Sequence, residues 1–405
     1  MTSTDLTEGR RHIAALDGIR GIAILLVLYR HLWRVLFNGS MMRLDAIFFD
    51  IPGVGWIGVD LFFVLSGFLI TGILIDAKDG ARYFRNFYAR RFLRIFPLYY
   101  GFLFVLIVVL PFIPALRNNY GLEGVQHYQL WYWTYLQNLL GPLRLFSNTG
   151  NLWAGHLWSL AIEEQFYVLW PAVVFLCSRR TLTWVCIACV VGAPLLRFVT
   201  IESEMPRFSN TLATLTFMPA RVDTLAAGAL VAIAWREPLT FSRYVRPAKV
   251  IAIAALIIVT VYALSVGDLD SFDLRTQQVT FSTLALGFAA FLILVLAAPP
   301  TSWLQRACTH PVLGFFGRYS YGLYVIHFPI ATQLAARART HDLIRTVGGS
   351  EIPAHIVFML VTGGLSVAAA WLSWHLYESQ FLKLKRYFRY QGARRPGPRT
   401  AERIS

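Results

Sequence analysis

A few ionisable side chains stand inside otherwise apolar runs of this sequence, and they are the residues able to do chemistry. Arg20 and His31 share one run, Glu163 and Glu164 a second, Arg221 and Asp223 a third, and His327 lies in a fourth; Arg90, Arg91 and Arg94 open a fifth. A charge in hydrocarbon costs about 2.5–3.5 kcal/mol on insertion scales, so each is a candidate functional residue. An imidazole beside a carboxylate is suited to take a proton from a hydroxyl while the acid orients the ring. Guanidiniums at i, i+1 and i+4 on one helical face suit a phosphorylated ligand, because their planar forks bind phosphate bidentately. Plainer readings stay open: interior polar residues hold helices together, and basic residues beside a span are ordinary topology signals. The sequence has no P-loop, GxSxG or HExxH pattern. Cys186 and Cys189 form a CxxC without partner ligands, and Cys177 and Cys308 also lie in or beside apolar runs. Neither a disulfide framework nor a metal site is expected from them.

Composition says what must position these groups. Of 405 residues, 56% are hydrophobic and 15% charged, with mean hydropathy +0.53, where soluble domains carry about 25% charge. Such a chain has too little polar surface to cover itself in water. Disorder, collagen, coiled coil and small disulfide scaffolds are excluded, and an all-α polytopic membrane bundle is predicted. The net charge of +15 would suggest nucleic acid in a soluble protein. Here the basic residues cluster between apolar runs, as topology signals do, so no nucleic-acid partner is expected. The partner is the lipid bilayer.

Ten segments reach the roughly 20 residues a span requires: 16–37, 55–76, 95–113, 157–176, 181–199, 218–235, 248–266, 278–298, 312–335 and 354–376. A shorter aromatic stretch, Leu130 to Leu140, reads as an interfacial or re-entrant helix. Gly58 to Gly72 is glycine-rich enough for close helix packing. The loop from Lys78 to Arg94 carries Lys78, Arg82, Arg85, Arg90, Arg91 and Arg94, which places it in the cytoplasm and, by counting spans, both termini with it. Glu202, Glu204, Asp268, Asp270 and Asp273 then fall outside, while Arg337, Arg339 and Arg345 depart from the pattern. Residues 1–380 read as one membrane domain and 381–405 as a basic, disordered cytoplasmic tail.

Arg20 and His31 are eleven residues apart, so they share nearly one helical face about 16 Å apart in depth. The same 1.5 Å rise puts His31 and Glu163 at one level, roughly 20 Å above the cytoplasmic face, with His327 close to it. The spacing thus predicts His31 and Glu163 as a base and its orienting acid.

Six strings occur in order: LDGIRGIAILLVLYRHLW (Leu16 to Trp33), GVDLFFVLSGFLIT (Gly58 to Thr71), RRFLRIFPLYY (Arg90 to Tyr100), HLWSLAIEEQFYVLWP (His156 to Pro171), RVDTLAAGALVA (Arg221 to Ala232) and YSYGLYVIHFPI (Tyr319 to Ile330). Together they resemble the bacterial acyltransferase-3 family of integral membrane O-acyltransferases. The resemblance implies a ten-helix enzyme that takes an acyl group, most often acetyl from cytosolic acetyl-CoA, and places it on a hydroxyl of a glycan or glycosylated acceptor, without a metal. It implies His31 and Glu163 as catalytic residues, and Arg20, Arg90, Arg91 and Arg94 as the acyl-CoA site. Arg221 and His327 would contact the acceptor. The match departs at Arg30, where an apolar or small residue would be commoner before the histidine. With no serine or cysteine in a clear nucleophile context, direct transfer or a transient acyl-histidine is expected.

Other functions fit parts of this pattern. A transporter also uses midplane charges but predicts no acylated product. A small glycosylated natural product such as a macrolide is an alternative acceptor to a cell-surface or exported glycan. Acceptor contacts are expected in the outer loops, Asn38 to Gly55, Pro114 to His156 and Ile201 to Phe217. The second of these carries Tyr120, Tyr128, Trp131, Tyr132, Trp133, Tyr135 and Trp153, which suit sugar-ring stacking and equally suit anchoring at the membrane interface,. The membrane in question is the bacterial inner membrane.

Overall fold

A computed structural model describes residues 13–36, 53–113, 120–143, 145, 153–203, 207–267, 269–340 and 350–390. Most of the first outer loop, parts of the second and third, Glu204, Asp268, Arg345 and the tail from 391 lie outside the described residues, so the expectations placed on them have no structural counterpart here.

Among the described residues ten long helices form where ten were expected: α1 (Ala14–Leu36), α2 (Ile57–Ala77), α3 (Tyr83–Phe104), α4 (Trp158–Leu176), α5 (Arg179–Ile201), α6 (Met218–Trp235), α7 (Val245–Val266), α8 (Leu274–Ala297), α9 (Pro311–Thr340) and α10 (Ile352–Ser373). Among the described residues eight helices are long and apolar enough to cross a bilayer. The other two long helices are α1, which carries Asp17, Arg20, Arg30 and Arg34, and α9, which carries Tyr319, Ser320, Tyr321, Tyr324 and His327. These polar helices pack against one another inside the bundle, where each can answer the other's polar groups. Helical backbone also continues past α10 to Tyr387, beyond the boundary expected at residue 380.

The bundle sorts its helices by depth. In the helix that contains α2, 78% of the most apolar stretch is buried, against 6% in the helix that contains α7. On α7, Val250, Ile253, Leu256, Ile257, Val261 and Leu264 face outward. So continuous an apolar surface is what lipid covers. Glycine allows the central crossings to be close. A Cβ on Gly317 of α9 would lie 1.9 Å from the Asp17 carbonyl oxygen of α1, and one on Gly228 of α6 would lie 1.9 Å from that of Val64 in α2.

Polar contacts show which helix ends lie together. Asp76 at the end of α2 forms a two-bond pair with Arg236 at the end of α6, each bond 2.7 Å. Lys78 Nζ donates to the Val174 and Cys177 carbonyls at the end of α4, at 2.9 and 2.6 Å. Arg90 near the start of α3 donates to the Lys385 and Phe388 carbonyls beyond α10. This basic end therefore gathers the N-terminus of α1 and the cluster from Lys78 to Arg94. The opposite end holds His31, Arg34 and Asp270.

The stretch from Leu130 to Leu140 folds as two short helical pieces, Gln129–Trp133 and Gln137–Leu139, broken where Tyr135 adopts a φ of 55°. Its broken backbone is held from the side: Tyr99 and Tyr100 of α3 donate to the Tyr132 and Trp133 carbonyls at 2.9 and 3.0 Å. Such non-helical backbone is tolerated at depth when protein satisfies it or a cavity receives it. Both hold here, since Tyr132, Gln137 and Asn138 line a cavity.

Candidate active site

Among the described residues two cavities lie within the bundle and divide six of the expected site residues between them; Arg90 and His327 line neither. The smaller, about 120 Å³, lies toward the basic end and is lined by Arg20, Arg91, Arg94 and Glu163, with Ser66 and Tyr167. The larger, about 470 Å³, lies toward the other end and is lined by His31 and Arg221, with His156, Asp60, Trp56 and Trp158. Val59 and Tyr324 line both, so the two spaces share a wall.

In the smaller cavity aromatic rings support the cations. The Arg91 guanidinium lies over the Tyr167 ring at 5.2 Å and that of Arg94 over the Trp374 ring at 5.4 Å. A ring face holds a guanidinium without using its N–H groups, which stay available to an anion. Arg20 donates to Asp17 at 3.3 Å. The Ser66 and Tyr167 hydroxyls are hydrogen-bonded to each other and line the same cavity as Glu163. Arg90 stands apart from the residues it was grouped with. Its guanidinium is taken by the Lys385 and Phe388 carbonyls and lies 5.2 Å from the Tyr390 ring, because the chain after α10 docks along the start of α3.

In the larger cavity His31 has a different partner from the one its depth suggested. Its Nδ1 lies 2.9 Å from His327 Nε2, with the rings stacked at an interplanar angle of 17°. Helical rise gave the level of each residue but not its azimuth, and azimuth directs His31 to α9 while Glu163 faces the arginines. The tautomers follow from the partners. A carbonyl only accepts, so His327 Nδ1, at 2.8 Å from the Leu323 carbonyl, carries a proton,. In the neutral ring Nε2 is then the acceptor, and His31 Nδ1 must donate to it. This leaves the lone pair of His31 on Nε2, which makes that atom a base with its ring held from behind.

His156, which the sequence reading passed over as a site residue, completes the group: its ring centroid is 5.2 Å from that of His327, and Phe328 lies 5.0 Å from both His31 and His156. Tyr324 joins this cluster to the partition. Its hydroxyl donates to the His156 carbonyl at 2.8 Å and receives a hydrogen bond from Ser159 Oγ at 2.5 Å. The spacing His156-x-x-Ser159 at the head of α4, one helical turn, was the available signal.

Arg221 is fully buried beside the larger cavity. It pairs with Asp60 of α2 and lies 3.6 Å from the Phe281 ring centroid. Asp223 instead pairs with Arg197 at 2.8 Å and accepts from Ser282 at 2.9 Å. The sequence grouped Arg221 with Asp223; on the helix, two positions apart, they point to different neighbours.

An all-α bundle of apolar helices around a polar interior with two adjoining cavities defines a multi-pass membrane protein with a built-in site. The family profile described as an acyltransferase domain matches residues 13–376, and the chain belongs to this acyltransferase-3 family. It is 29% identical over 338 residues to the peptidoglycan O-acetyltransferase OatA of Listeria monocytogenes, covering 80% of this chain and 50% of that protein. It is 26% identical over 391 residues to a provisionally named O-acetyltransferase of Staphylococcus aureus, covering 92% and 58%. To a provisionally named peptidoglycan O-acetyltransferase of Bacillus subtilis it is 27% identical over 393 residues, covering 92% and 55%. The chain thus spans between half and three-fifths of these relatives' lengths. No solved structure matches it.

Proposed function

We propose that this protein is a membrane O-acetyltransferase that moves an acetyl group from cytosolic acetyl-CoA to a hydroxyl of a cell-wall or other surface glycan. The observation that carries this reading is the pair of cavities meeting at Val59 and Tyr324, arginine-lined toward the basic end and histidine-lined toward the other. The basic end faces the cytoplasm in this reading, with both termini there. Arg20, Arg91 and Arg94 hold the phosphates of the donor, and the thioester arm extends along the shared wall toward His31. The O-acetyltransferase names of the relatives support the acetyl group and the glycan acceptor.

The chemistry asked of the chain is modest. His31 Nε2 takes the proton of the acceptor hydroxyl as the oxygen bonds to the thioester carbonyl carbon. The carbon–sulfur bond then breaks, and His31 returns the proton to the departing sulfur, leaving an ester and a free thiol. His327 accepts from His31 Nδ1 and so keeps the lone pair of the neutral ring on Nε2 before the first transfer and after the second,. Glu163, beside the arginines, orients the donor end through the Ser66 and Tyr167 hydroxyls and is not the partner of His31. Purified protein in detergent, given acetyl-CoA and glycan strands, should add 42 Da per acetylated hydroxyl by mass spectrometry, about the mass of one acetyl replacing hydrogen. His31→Ala should slow this addition by about 10²–10⁴. Product from the His31→Ala protein at the normal rate would overturn the assignment.

A further inference from the structure

A coenzyme A thioester carries negative charge in two places. A diphosphate joins the pantetheine arm, and a single 3′-phosphate stands on the ribose beyond it, farther from the thioester. With the arm running inward to His31, the diphosphate falls to Arg20, Arg91 and Arg94, which line the smaller cavity. The 3′-phosphate then stays outside, and the cation waiting there comes from the chain beyond α10.

That chain is laid along the start of α3. Asn86 Nδ2 donates to the Arg389 carbonyl at 2.8 Å, Arg90 donates to the Lys385 and Phe388 carbonyls at 3.3 and 3.2 Å, and the Arg85 guanidinium lies 5.6 Å from the Phe388 ring. Three side chains hold it, so loss of Arg90 alone leaves it docked. Arg90 is one helical turn before Arg94 on α3, so the Lys385 backbone stands outward of Arg94. The cations of this segment differ in what they meet. Lys383 Nζ donates to Gln380 and Arg386 to the Tyr387 hydroxyl, each at 2.8 Å, local bonds at exposed positions. Lys385 is half-buried, and the charges acting on its ammonium include those of Arg94, Arg91, Arg90 and Arg20. Among the described residues its Nζ makes no hydrogen bond and no ion pair. A fifth positive charge set against four is repelled by them, and a phosphate among them turns that repulsion into attraction. A lysine, a compact charge with three rotatable donors, suits a single phosphate.

We propose that Lys385 binds the 3′-phosphate of the acyl-CoA donor, so that the segment after α10 tells coenzyme A thioesters from their 3′-dephospho counterparts. The inference rests on the O-acetyltransferase reading and deepens its donor site.

The test uses the full chain in a non-ionic detergent free of phospholipid, so that no lipid phosphate competes, with glycan strands as acceptor. KM for acetyl-CoA should be about tenfold lower than for 3′-dephospho-acetyl-CoA. Lys385→Gln should erase that difference by raising KM for acetyl-CoA alone, with kcat held, and Lys385→Arg should restore most of it. Lys383→Gln should change neither KM. Titration calorimetry with coenzyme A and 3′-dephospho-coenzyme A, without acceptor, reads the same preference apart from turnover. Equal binding of the two, a preference that survives Lys385→Gln, or a Lys385→Gln loss shared by both overturns the proposal. A Lys385-dependent preference with acetyl transfer from neither donor overturns the O-acetyltransferase reading and leaves the phosphate site standing. Binding of neither overturns both.

Discussion

The two cavities are built from the same bundle and share a wall, yet they treat charge in opposite ways. Toward the basic end, Arg91 and Arg94 rest on the Tyr167 and Trp374 rings, which leaves their N–H forks to an incoming anion. Toward the other end the buried charges answer each other, Arg221 with Asp60 and, behind it, Arg197 with Asp223. There the directed atom is the acceptor nitrogen at the end of the line from Leu323 through His327 to His31. In the function proposed above, the first space holds the donor and the second moves a proton. A thioester crossing from one to the other would meet its base only past the Tyr324 partition.

That contrast can be broken at several points. His31→Ala should lower kcat by about 10²–10⁴, the range of general-base contributions, while acetyl-CoA binding by titration calorimetry stays unchanged. Asp60→Asn should be the most costly to the fold, about 3–5 kcal/mol, because it strands the buried Arg221; thermal unfolding in detergent would register it. His327→Phe keeps a stacked ring but removes the acceptor for His31 Nδ1. Its kcat should fall on the order of tenfold to a hundredfold, less than that of the His31 variant, with KM for both substrates held. Arg91→Gln and Arg94→Gln should each raise KM for acetyl-CoA about tenfold and leave kcat nearly intact, the effect of one charge-assisted bond. Arg90→Gln is the comparison, with KM within about twofold of normal and a lower unfolding temperature. An Arg90 effect on KM as large as that of Arg91 would erase the distinction drawn between them.

The fold was largely legible in the sequence because hydrophobic length is a direct physical requirement of a bilayer. Each of the ten predicted segments corresponds to a long helix, some starting outside the apolar run, as at Tyr83, twelve residues before the predicted start, and at Arg179, two residues before it. The site was legible as a set of residues and not as a set of partners. Periodicity gives depth, and depth set His31 level with Glu163. Which neighbour each side chain meets depends on how α1, α4 and α9 are rotated, and that is fixed by close contacts such as Gly317 against Asp17, invisible in one sequence. The same limit hid Asp60 as the partner of Arg221. His156 and Tyr324 were within the strings that carried the resemblance, and their meeting required α4 and α9 to be adjacent.

The central claim is that donor and acceptor enter from opposite ends and meet at His31. Proteoliposomes with the protein in one known orientation, acetyl-CoA confined to one face and glycan strands to the other, test it directly. Acetylated strands should form only when acetyl-CoA is on the face that bears Lys78 to Arg94. Product only when both substrates share a face would contradict the claim.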